Sequence, residues 1–279
     1  MTPIKGEPVY YSHRLSPEFK ELLIIPISDC HYGNPLFSQE HFFRTLDMIR
    51  DTPNAYTVLN GDLAESTLKT SKGDVYKQVG TPQDQRDWLI EKLYPIKEKI
   101  LGMTTGNHEN RIYETAGIDI SKDIAQDLSV PYRAEGLILK ISFGNGNRWT
   151  KDRPYTYFLY QTHGYGGART KSAKAVKVER MATWIHADVY LMSHDHIVSV
   201  APDIYLMPDP RVRPEKDKDG NKTGFMVGTV TAHRKMLIKT NAYLKFGGYA
   251  EMKGFPPVDL ETPIIKLAGI GKPRIRVEV

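Results

Sequence analysis

The tetrapeptide Gly106-Asn107-His108-Glu109 is the stretch on which the fold prediction depends. It follows an apolar run over residues 100–103 that predicts a short buried strand. Gly106 allows the backbone to turn sharply as it leaves that strand. Asn107 then offers a neutral carbonyl oxygen, and His108 offers an imidazole that can donate a proton near neutral pH. An Asn-His pair after a glycine is often only a turn, so the rest of the chain must decide its meaning.

Four other predicted strand ends also finish on residue types that bind metal ions. Apolar runs over 22–28 and 55–59 predict two buried strands, and runs over 155–162 and 188–192 predict two more. In the first half, strand, polar loop and helix alternate three times, a pattern typical of a parallel α/β sheet. Functional groups in such sheets gather at the carboxyl ends of the strands. The candidate ligands at the five ends are Asp29, His31, Asp62, Asn107, His163, His194 and His196.

A one-residue spacing separates Asp29 from His31 and His194 from His196. On an extended backbone alternate side chains share a face, so each pair is expected to point the same way. Cys30 then points away, and we interpret it as a packing residue. As the only cysteine it also excludes an internal disulfide and a thiolate metal cage. Two carboxylates, four imidazoles and one amide are enough for two metal ions if one carboxylate bridges them.

The order of these motifs resembles that of the calcineurin-like metallophosphoesterases, whose motifs run Asp-X-His, Gly-Asp, Gly-Asn-His-Glu/Asp, His and Gly-His-X-His. The resemblance extends from Asp29 to His196, about two thirds of the chain, and departs at Ser193, where the family usually has glycine. It implies a four-layer α/β/β/α sandwich with two packed mixed sheets and a metal site at the carboxyl ends of the strands. In length and layout the chain looks more like compact phage or prophage phosphoesterases than like the related double-strand-break repair nucleases.

The resemblance also implies two divalent metal ions that share Asp62. One ion would be held by Asp29, His31, Asp62 and His196, and the other by Asp62, Asn107, His163 and His194. Nitrogen and oxygen ligands without a thiolate fit Mn²⁺, Fe or Zn²⁺, and analogy favours Mn²⁺. Four positive charges against two carboxylates leave the site positive, which attracts a phosphate and lowers the pKa of a bridging water. The resulting hydroxide is the expected nucleophile.

Two residues near these motifs are candidate catalytic groups. His108 follows a ligand without being one, and we expect it to act as general acid to the leaving oxygen. Glu65, three residues past Asp62, either orients His108 or is a solvated loop acid, and both interpretations stay open. Arg111, beside the catalytic motif, and Arg169, in a glycine-rich loop, are candidate substrate-binding residues.

A run of basic residues bears on the class of phosphate ester. It consists of Arg169, Lys171, Lys174, Lys177 and Arg180. A basic helix that begins at the active site could follow a nucleic-acid backbone, although a solvated helix face is at least as common an explanation for the distal Lys177 and Arg180. The arginine that protein Ser/Thr phosphatases carry just after their Gly-Asp motif is absent from residues 61–66. These features predict a phosphodiesterase that acts on DNA or RNA, a nuclease.

The alternative is a phosphomonoesterase, or a nucleotide phosphatase or phosphodiesterase that acts on small molecules, with the same metal ions in a narrower pocket. A non-catalytic scaffold with the same fold should have lost some of the ligand residues. Every ligand and His108 are present here, so the scaffold interpretation is set aside.

The composition indicates a single globular domain over residues 1–279, with a mass of 31.7 kDa. Within it we expect an N-terminal arm (1–20), a charged hairpin or loop insertion (209–223) and a β-rich C-terminal segment (224–279). A net charge of +5 and a pI near 9.0 favour anionic partners mildly. No signal peptide or membrane-spanning run is visible. The sequence therefore predicts a soluble cytoplasmic protein without a membrane partner, encoded by a phage in one interpretation, and leaves a homo-oligomer open.

Overall fold

The structure, a computed structural model, describes residues 7–69, 71, 75–146, 153–168, 170–252, 254, 257 and 260–279. In these residues the apolar runs form strands and the amphipathic stretches form helices. The strands are β1 (Tyr10–Arg14), β2 (Glu21–Ile24), β3 (Ala55–Asn60), β4 (Ile100–Thr104), β5 (Leu137–Phe143), β6 (Tyr155–Thr162), β7 (Val189–Met192), β8 (Ser199–Lys216), β9 (Lys222–Lys239), β10 (Ile264–Ala268) and β11 (Ile275–Glu278). The helices are α1 (Gln39–Asp51), α2 (Pro82–Leu93), a 3₁₀ helix (Tyr94–Lys99), α3 (Asn107–Ala116), α4 (Ile120–Leu128), α5 (Lys171–Met181) and α6 (Gly248–Met252).

The strands form two mixed sheets. One has five strands in the order β11-β10-β2-β3-β4, and the other has six in the order β1-β5-β6-β7-β9-β8. Strands β2, β3 and β4 run parallel, as the alternation of strand, loop and helix predicts. Strands β5 and β6 pair antiparallel along their whole length, from Leu137 opposite Gln161 to Phe143 opposite Tyr155. The parallel first half is therefore confirmed. The sequence also predicts an antiparallel hairpin here, from apolar runs over 137–143 and 155–162 with a Gly-Asn-Gly turn at 144–146 between them, and the structure confirms it.

The two sheets pack against each other through an apolar core. Neighbouring residues on β3 separate its two faces: Val58 lies in the cluster between the sheets, and Leu59 lies among the helices. The helix-side cluster includes Phe42 and Ile49 of α1 and Leu89 of α2. A third cluster joins α5 to the outer face of the six-stranded sheet, through Val178, Met181, Tyr190, Met192 and Leu237.

Local signals explain where the helices begin and end. Helix α2 starts with a capping box, in which Thr81 and Asp84 each satisfy a backbone N–H of the other, and Pro82 occupies the first turn. The sequence predicts one helix kinked at Pro95. Instead α2 ends at Leu93 and a 3₁₀ helix carries the chain to β4, because the proline ring and its missing N–H disfavour a continued α-helix.

The terminal and inserted segments take defined places in the sheets. Within the predicted N-terminal arm, β1 pairs with β5 at the edge of the six-stranded sheet. The predicted charged hairpin at 209–223 forms the distal part of a longer one, since β8 and β9 have 18 residues each. The segment 224–279 contains β10, β11 and the short helix α6. No helix among the described residues has both the length and the apolar character needed to span a bilayer.

Candidate metal centre

The seven candidate ligands lie at the carboxyl ends of strands from both sheets. Asp29 and His31 follow β2, Asp62 follows β3, and Asn107 begins helix α3 just after β4. The other three residues follow β6 and β7 of the six-stranded sheet, and they are His163, His194 and His196. Asp29 and Asp62 are at most 1% exposed, whereas Asn107 is exposed, so the site opens to solvent on the Asn107 side.

The ligand-type atoms converge in overlapping groups. Asp29, His31 and His196 form one group in which these atoms lie within 4.8 Å of one another, and Asp62, His163 and His194 form another. In the first group, Nε2 of His196 lies 3.2 Å from Oδ1 of Asp29 and 3.1 Å from Nε2 of His31. A third group, made of His31, Asp62 and His108, overlaps both, so the structure brings the predicted acids and histidines together in three sets of three.

Asp62 lies between the two groups. Its Oδ2 atom is 3.1 Å from Nε2 of His163 in its own group and 3.9 Å from Nε2 of His31 in the other. Asn107 joins the second group, since its Oδ1 atom is 2.7 Å from Nδ1 of His194 and 3.1 Å from Nε2 of His163. These groups of side chains could hold divalent metal ions.

The hydrogen bonds of the imidazoles show which of their nitrogens is available to an ion. Nδ1 of His163 donates to the carbonyl of Asn60 at 2.9 Å, and Nε2 of His194 donates to the carbonyl of Gly166 at 2.7 Å. A neutral imidazole has one N–H, so the other nitrogen of each ring carries a lone pair. Those two nitrogens lie 3.3 Å apart, and both face Oδ1 of Asn107. Acceptor atoms held this close to one another need a cation between them, so the residues present fit a metal ion.

Protons are the alternative cations at this site, and the pKa values reflect that. Burial lowers the pKa of His163, but the charge of Asp62, its hydrogen bond and the charge of Asp29 outweigh burial and raise that pKa to about 10. Burial also lowers the pKa of His31, but the hydrogen bond to Glu65 and the charges of Asp62 and Glu65 outweigh burial and raise that pKa to about 9. Burial pushes the pKa of Asp62 upward, yet the neighbouring imidazoles hold it well below its usual range.

The backbone at the ligands is left-handed rather than extended. The φ angle is 49° at Asp29, 50° at His31, 50° at Asp62, 71° at His194 and 51° at His196. Residues other than glycine are strained in this conformation, and such backbone strain concentrates at functional sites. The extended-strand explanation of the one-residue spacing is therefore wrong, since the left-handed residues end the alternation of side chains. Asp29 and His31 do meet in one group, but His194 and His196 belong to different groups.

Glu109 holds the loop that carries Asp62 against the start of α3. It is 1% exposed, and its carboxylate accepts N–H groups from Asp62 at 3.0 Å, Ala64 at 2.9 Å and Gly106 at 3.2 Å. A Cβ atom on Gly106 would lie 2.1 Å from Oδ1 of Asp62, so this position requires glycine for space. The φ of Gly106 is −110°, which any residue can adopt, so the expectation that the turn needs the backbone freedom of glycine is wrong.

The two candidate catalytic residues lie beside the Asp62 loop. Nδ1 of His108 donates to the main-chain carbonyl of Glu65 at 2.8 Å, and its Nε2 lies 4.0 Å from Oδ2 of Asp62. The carboxylate of Glu65 lies 3.7 Å from Nδ1 of His108 but 3.2 Å from Nδ1 of His31. The carbonyl of Glu65 therefore orients His108, while its carboxylate faces His31. With an exposed fraction of 7%, Glu65 is not a solvated loop acid.

The residues of the predicted basic run do not all face solvent in the structure. Lys171 and Arg180 on α5 are exposed, and Arg169 lies outside the described residues. Lys174 and Lys177 instead turn inward toward Asp195: Lys174 donates to its carbonyl at 2.8 Å, and Lys177 lies 2.7 Å from its Oδ1 atom. These two lysines therefore contribute little to a basic surface.

Asp195, between His194 and His196, is a functional candidate that sequence reasoning missed. Its second carboxylate oxygen accepts from Lys239, which is 0% exposed. Its three lysine partners are 18, 21 and 44 residues away in the chain, so no local pattern signals the cluster. Glu109 could have been found, because it is the last residue of the Gly106-Asn107-His108-Glu109 motif.

Comparisons with known proteins find weak likenesses in structure. No protein-family model matches the chain, and no curated protein matches it. One similar solved structure is a conserved uncharacterized protein, a predicted phosphoesterase, from Streptococcus pneumoniae TIGR4. It has 13% identity and a TM-score of 0.35, and the match covers 92% of this chain and 98% of that one. Another is GAP50, the anchor in the inner membrane complex of Plasmodium, with 11% identity, a TM-score of 0.40 and coverage of 92% and 83%. A likeness with a TM-score under 0.5 does not by itself assign a fold or a function.

Proposed function

We propose that this chain is a metal-dependent phosphoesterase, a hydrolase that works with two divalent ions. The observation that carries the proposal is the set of lone-pair atoms that face one another, with Nδ1 of His194 only 3.3 Å from Nε2 of His163. An arrangement of acceptors around a gap suits a cation and serves no structural purpose without one.

The two proposed ion positions follow the two groups of side chains. Asp29, His31 and His196 would hold one ion, and Asn107, His163 and His194 would hold the other, with Asp62 shared between them because its Oδ2 faces both groups. When bound, such ions polarise phosphate oxygens and lower the pKa of a coordinated water, which is the chemistry of phosphoester hydrolysis. The donor set suits Mn²⁺, with Fe or Zn²⁺ as alternatives.

His108 is proposed to protonate the leaving oxygen through Nε2, because its Nδ1 is committed to the carbonyl of Glu65. Burial lowers the pKa of His108 to about 4, so the imidazole is neutral near pH 7. It must therefore gain a proton within the catalytic cycle. A negatively charged phosphate beside the ring would favour that gain.

Arg111 is proposed to bind a phosphate oxygen of the substrate. Its Nη1 atom is buried and has no hydrogen-bond partner among the described residues. Its positive charge also contributes to the lowered pKa of His108, which places the guanidinium close to that ring. A buried donor without a partner is costly, and a phosphate would satisfy it.

The proposed substrate is a phosphodiester, with DNA or RNA as the finer proposal. Its support is the exposed pair Lys171 and Arg180 and the pI near 9.0. The inward position of Lys174 and Lys177 removes part of that support and favours the alternative, a phosphatase or phosphodiesterase that acts on small molecules. The calcineurin-like four-layer arrangement is likewise a proposal, supported by clusters on both outer faces and between the sheets.

The deciding experiment combines metal analysis with two model substrates. After incubation with Mn²⁺, the protein should retain two ions per chain and hydrolyse bis-p-nitrophenyl phosphate faster than p-nitrophenyl phosphate. Asp62→Asn should lower the rate of hydrolysis by more than ~100-fold, which is the upper end of the effect of changing a residue that only supports a metal ligand. Asp47→Asn, an exposed acid on α1, is the matched control and should behave like the wild type. Absence of bound metal, or no hydrolysis of either ester, would contradict the proposal.

Salt dependence tests the finer proposal. Nucleic-acid binding through phosphate contacts should weaken steeply as salt rises, and the double variant Lys171→Ala, Arg180→Ala should flatten that slope. Hydrolysis of the small diester should stay unchanged in the double variant. A wild type that prefers the monoester and cuts no nucleic acid would favour the small-molecule alternative.

A further inference from the structure

The hairpin of β8 and β9 extends beyond the rest of the sheet as a two-stranded ribbon, residues 203–234. Strand β9 pairs with β7 only from Met236 to Lys239, whereas its pairing with β8 continues out to Lys216 opposite Lys222. Residues 203–216 correspond to a length of roughly 45 Å. A two-stranded hairpin is marginally stable in water unless one of its faces is covered.

One face of the ribbon carries an apolar stripe between Arg234 and the Lys216–Lys222 pair. Directly opposite residues share a face of the ribbon, and so do residues two positions apart along β9. The pairs are Leu206 with Ala232, Pro208 with Val230, Val212 with Gly228 and Pro214 with Met226, and next to them lies Ile204 with Arg234. The five largest side chains of the stripe are well exposed: Ile204 62%, Leu206 69%, Val212 59%, Met226 58% and Val230 58%.

The stripe continues the face on which the two sheets pack in the body of the protein. The next residues of the same face, Met236 and Ile238, lie in the cluster between the sheets, and Val200, opposite Ile238, packs against it. The opposite face of the ribbon is partly covered at its base, where Tyr205 stacks on His233 and contacts His186. The stripe therefore has the side chains of a sheet-to-sheet core but no second sheet over it among the described residues.

The ribbon is built for contact through this face rather than through its edge. Strand β8 is the outermost strand of the sheet, and it contains four prolines, Pro202, Pro208, Pro210 and Pro214. Prolines on an edge strand remove N–H donors and block the addition of a further strand. Between Arg234 and the Lys216–Lys222 pair near the tip the stripe has no charged side chain, which is the composition of an interface core rather than of a nucleic-acid surface.

We propose that the stripe is a dimer interface in which the ribbons of two copies of this chain pack face to face about a two-fold axis. In such a contact the centre of the stripe, near Val212, meets itself, and Leu206 meets the region of Met226. The length from Leu206 to Met226 is apolar and complements itself, while Arg234 lies beyond one end of it and Lys216 and Lys222 lie beyond the other. The five side chains present roughly 600 Å² per copy, and a pair would bury about 1,200 Å², which reaches the lower limit for a specific, stable interface.

Sedimentation of the full chain tests the proposal. The wild type should be dimeric at ~10 μM, and the single variants Leu206→Glu and Val230→Glu should be monomeric, because each buries charge in the contact. The matched controls are Met207→Glu and Thr231→Glu, a directly opposite pair on the other face of the same strands, and both should stay dimeric. Circular dichroism and hydrolysis of the small diester should be unchanged in all four variants, which separates lost association from lost folding. A wild type that is monomeric at ~100 μM, or stripe variants that remain dimeric, would overturn the proposal.

Cross-linking provides a second, geometric test that does not depend on the charge variants. Cys30 is the only cysteine and is buried, so an introduced thiol can react without interference. Val212→Cys should form a disulfide-linked dimer under mild oxidation, because the centre of the stripe meets its own copy. Thr229→Cys, on the opposite face of the ribbon, should not. Equal cross-linking of the two variants would indicate random collision and overturn the face-to-face geometry.

Discussion

At the scale of single residues, most of the chemistry of the site depends on which atom of each side chain is left unpaired. The carbonyls of Asn60, Gly166 and Glu65 each take the N–H of one imidazole, from His163, His194 and His108 respectively. Each ring is thereby held in one tautomer with its other nitrogen directed at the site. The same backbone contacts that fix the rings therefore also select the atoms that face the proposed ions.

His108→Asn should keep both ions but lose about 10²–10⁴-fold in turnover on a poor leaving group, because a general acid typically contributes that much. The loss should be smaller on a nitrophenyl ester, whose leaving group needs less protonation. Metal content and rates on the two esters measure the two effects separately. Loss of an ion would instead mean that His108, whose Nε2 lies 4.0 Å from Oδ2 of Asp62, acts as a ligand.

Glu109→Ala should destabilise the protein by ~2–4 kcal/mol, since it leaves three buried N–H groups without an acceptor. Denaturant unfolding of the metal-free protein measures this change. Glu114→Ala, an exposed glutamate on the same helix, is the control and should change stability by less than ~0.5 kcal/mol. A small effect at Glu109 would show that the Asp62 loop holds its shape without this clamp.

At the scale of elements, α5 and β9 together support the loop that carries His194 and His196. Lys177 from α5 and Lys239 from β9 bind the two carboxylate oxygens of Asp195, and Lys174 binds its main-chain carbonyl. The loop is left-handed at both histidines, so it needs outside contacts to keep its shape. Helix α5, which the sequence predicts to be a basic surface, therefore also stabilises the loop that carries His194 and His196.

Lys177→Met should raise the Mn²⁺ concentration needed for half-maximal activity by ~10-fold or more, because weakened support of a ligand typically costs 10–100-fold in metal affinity. Excess Mn²⁺ should restore the rate, and Lys177→Arg should retain much of the affinity. Calorimetric titration with Mn²⁺ gives the affinity independently of turnover. Lys171→Met, exposed on the same helix, is the control, and an equal effect there would point to general surface charge instead.

At the scale of the whole molecule, the metal-free and metal-loaded proteins should differ in the pH dependence of their stability. The folded-state pKa values of about 9 for His31 and about 10 for His163 lie above the ordinary value of 6.5. Protonation of these groups therefore favours the folded state fully below pH 6.5, and that contribution is lost as pH rises through 9 to 10.

Thermal unfolding should show the melting temperature of the metal-free protein falling between pH 6.5 and 10. With Mn²⁺ the trend should reverse over the same range, because ion binding displaces those protons and so strengthens as pH rises. His163→Gln should abolish much of the difference. Parallel curves with and without Mn²⁺ would contradict the placement of the ion among these imidazoles.

The sequence by itself determined the mixed α/β architecture, the parallel first half, the antiparallel β5–β6 hairpin and the identity of the residues that converge. These features depend on local signals, namely apolar runs, turn residues and ligand-type residues at strand ends, and such signals are read within a few residues of each other. Even the end of α2 at Leu93, where the 3₁₀ helix takes over, is explained by one residue, Pro95.

Only the tertiary structure decided how those residues are used. It divided His194 and His196 between two groups, turned the carboxylate of Glu65 toward His31, and withdrew Lys174 and Lys177 from the surface into contact with Asp195. It also left one face of the β8–β9 ribbon uncovered among the described residues. Each of these outcomes depends on partners tens of residues away in the chain, and a local pattern contains no information about which distant group will satisfy a buried charge or cover an apolar face.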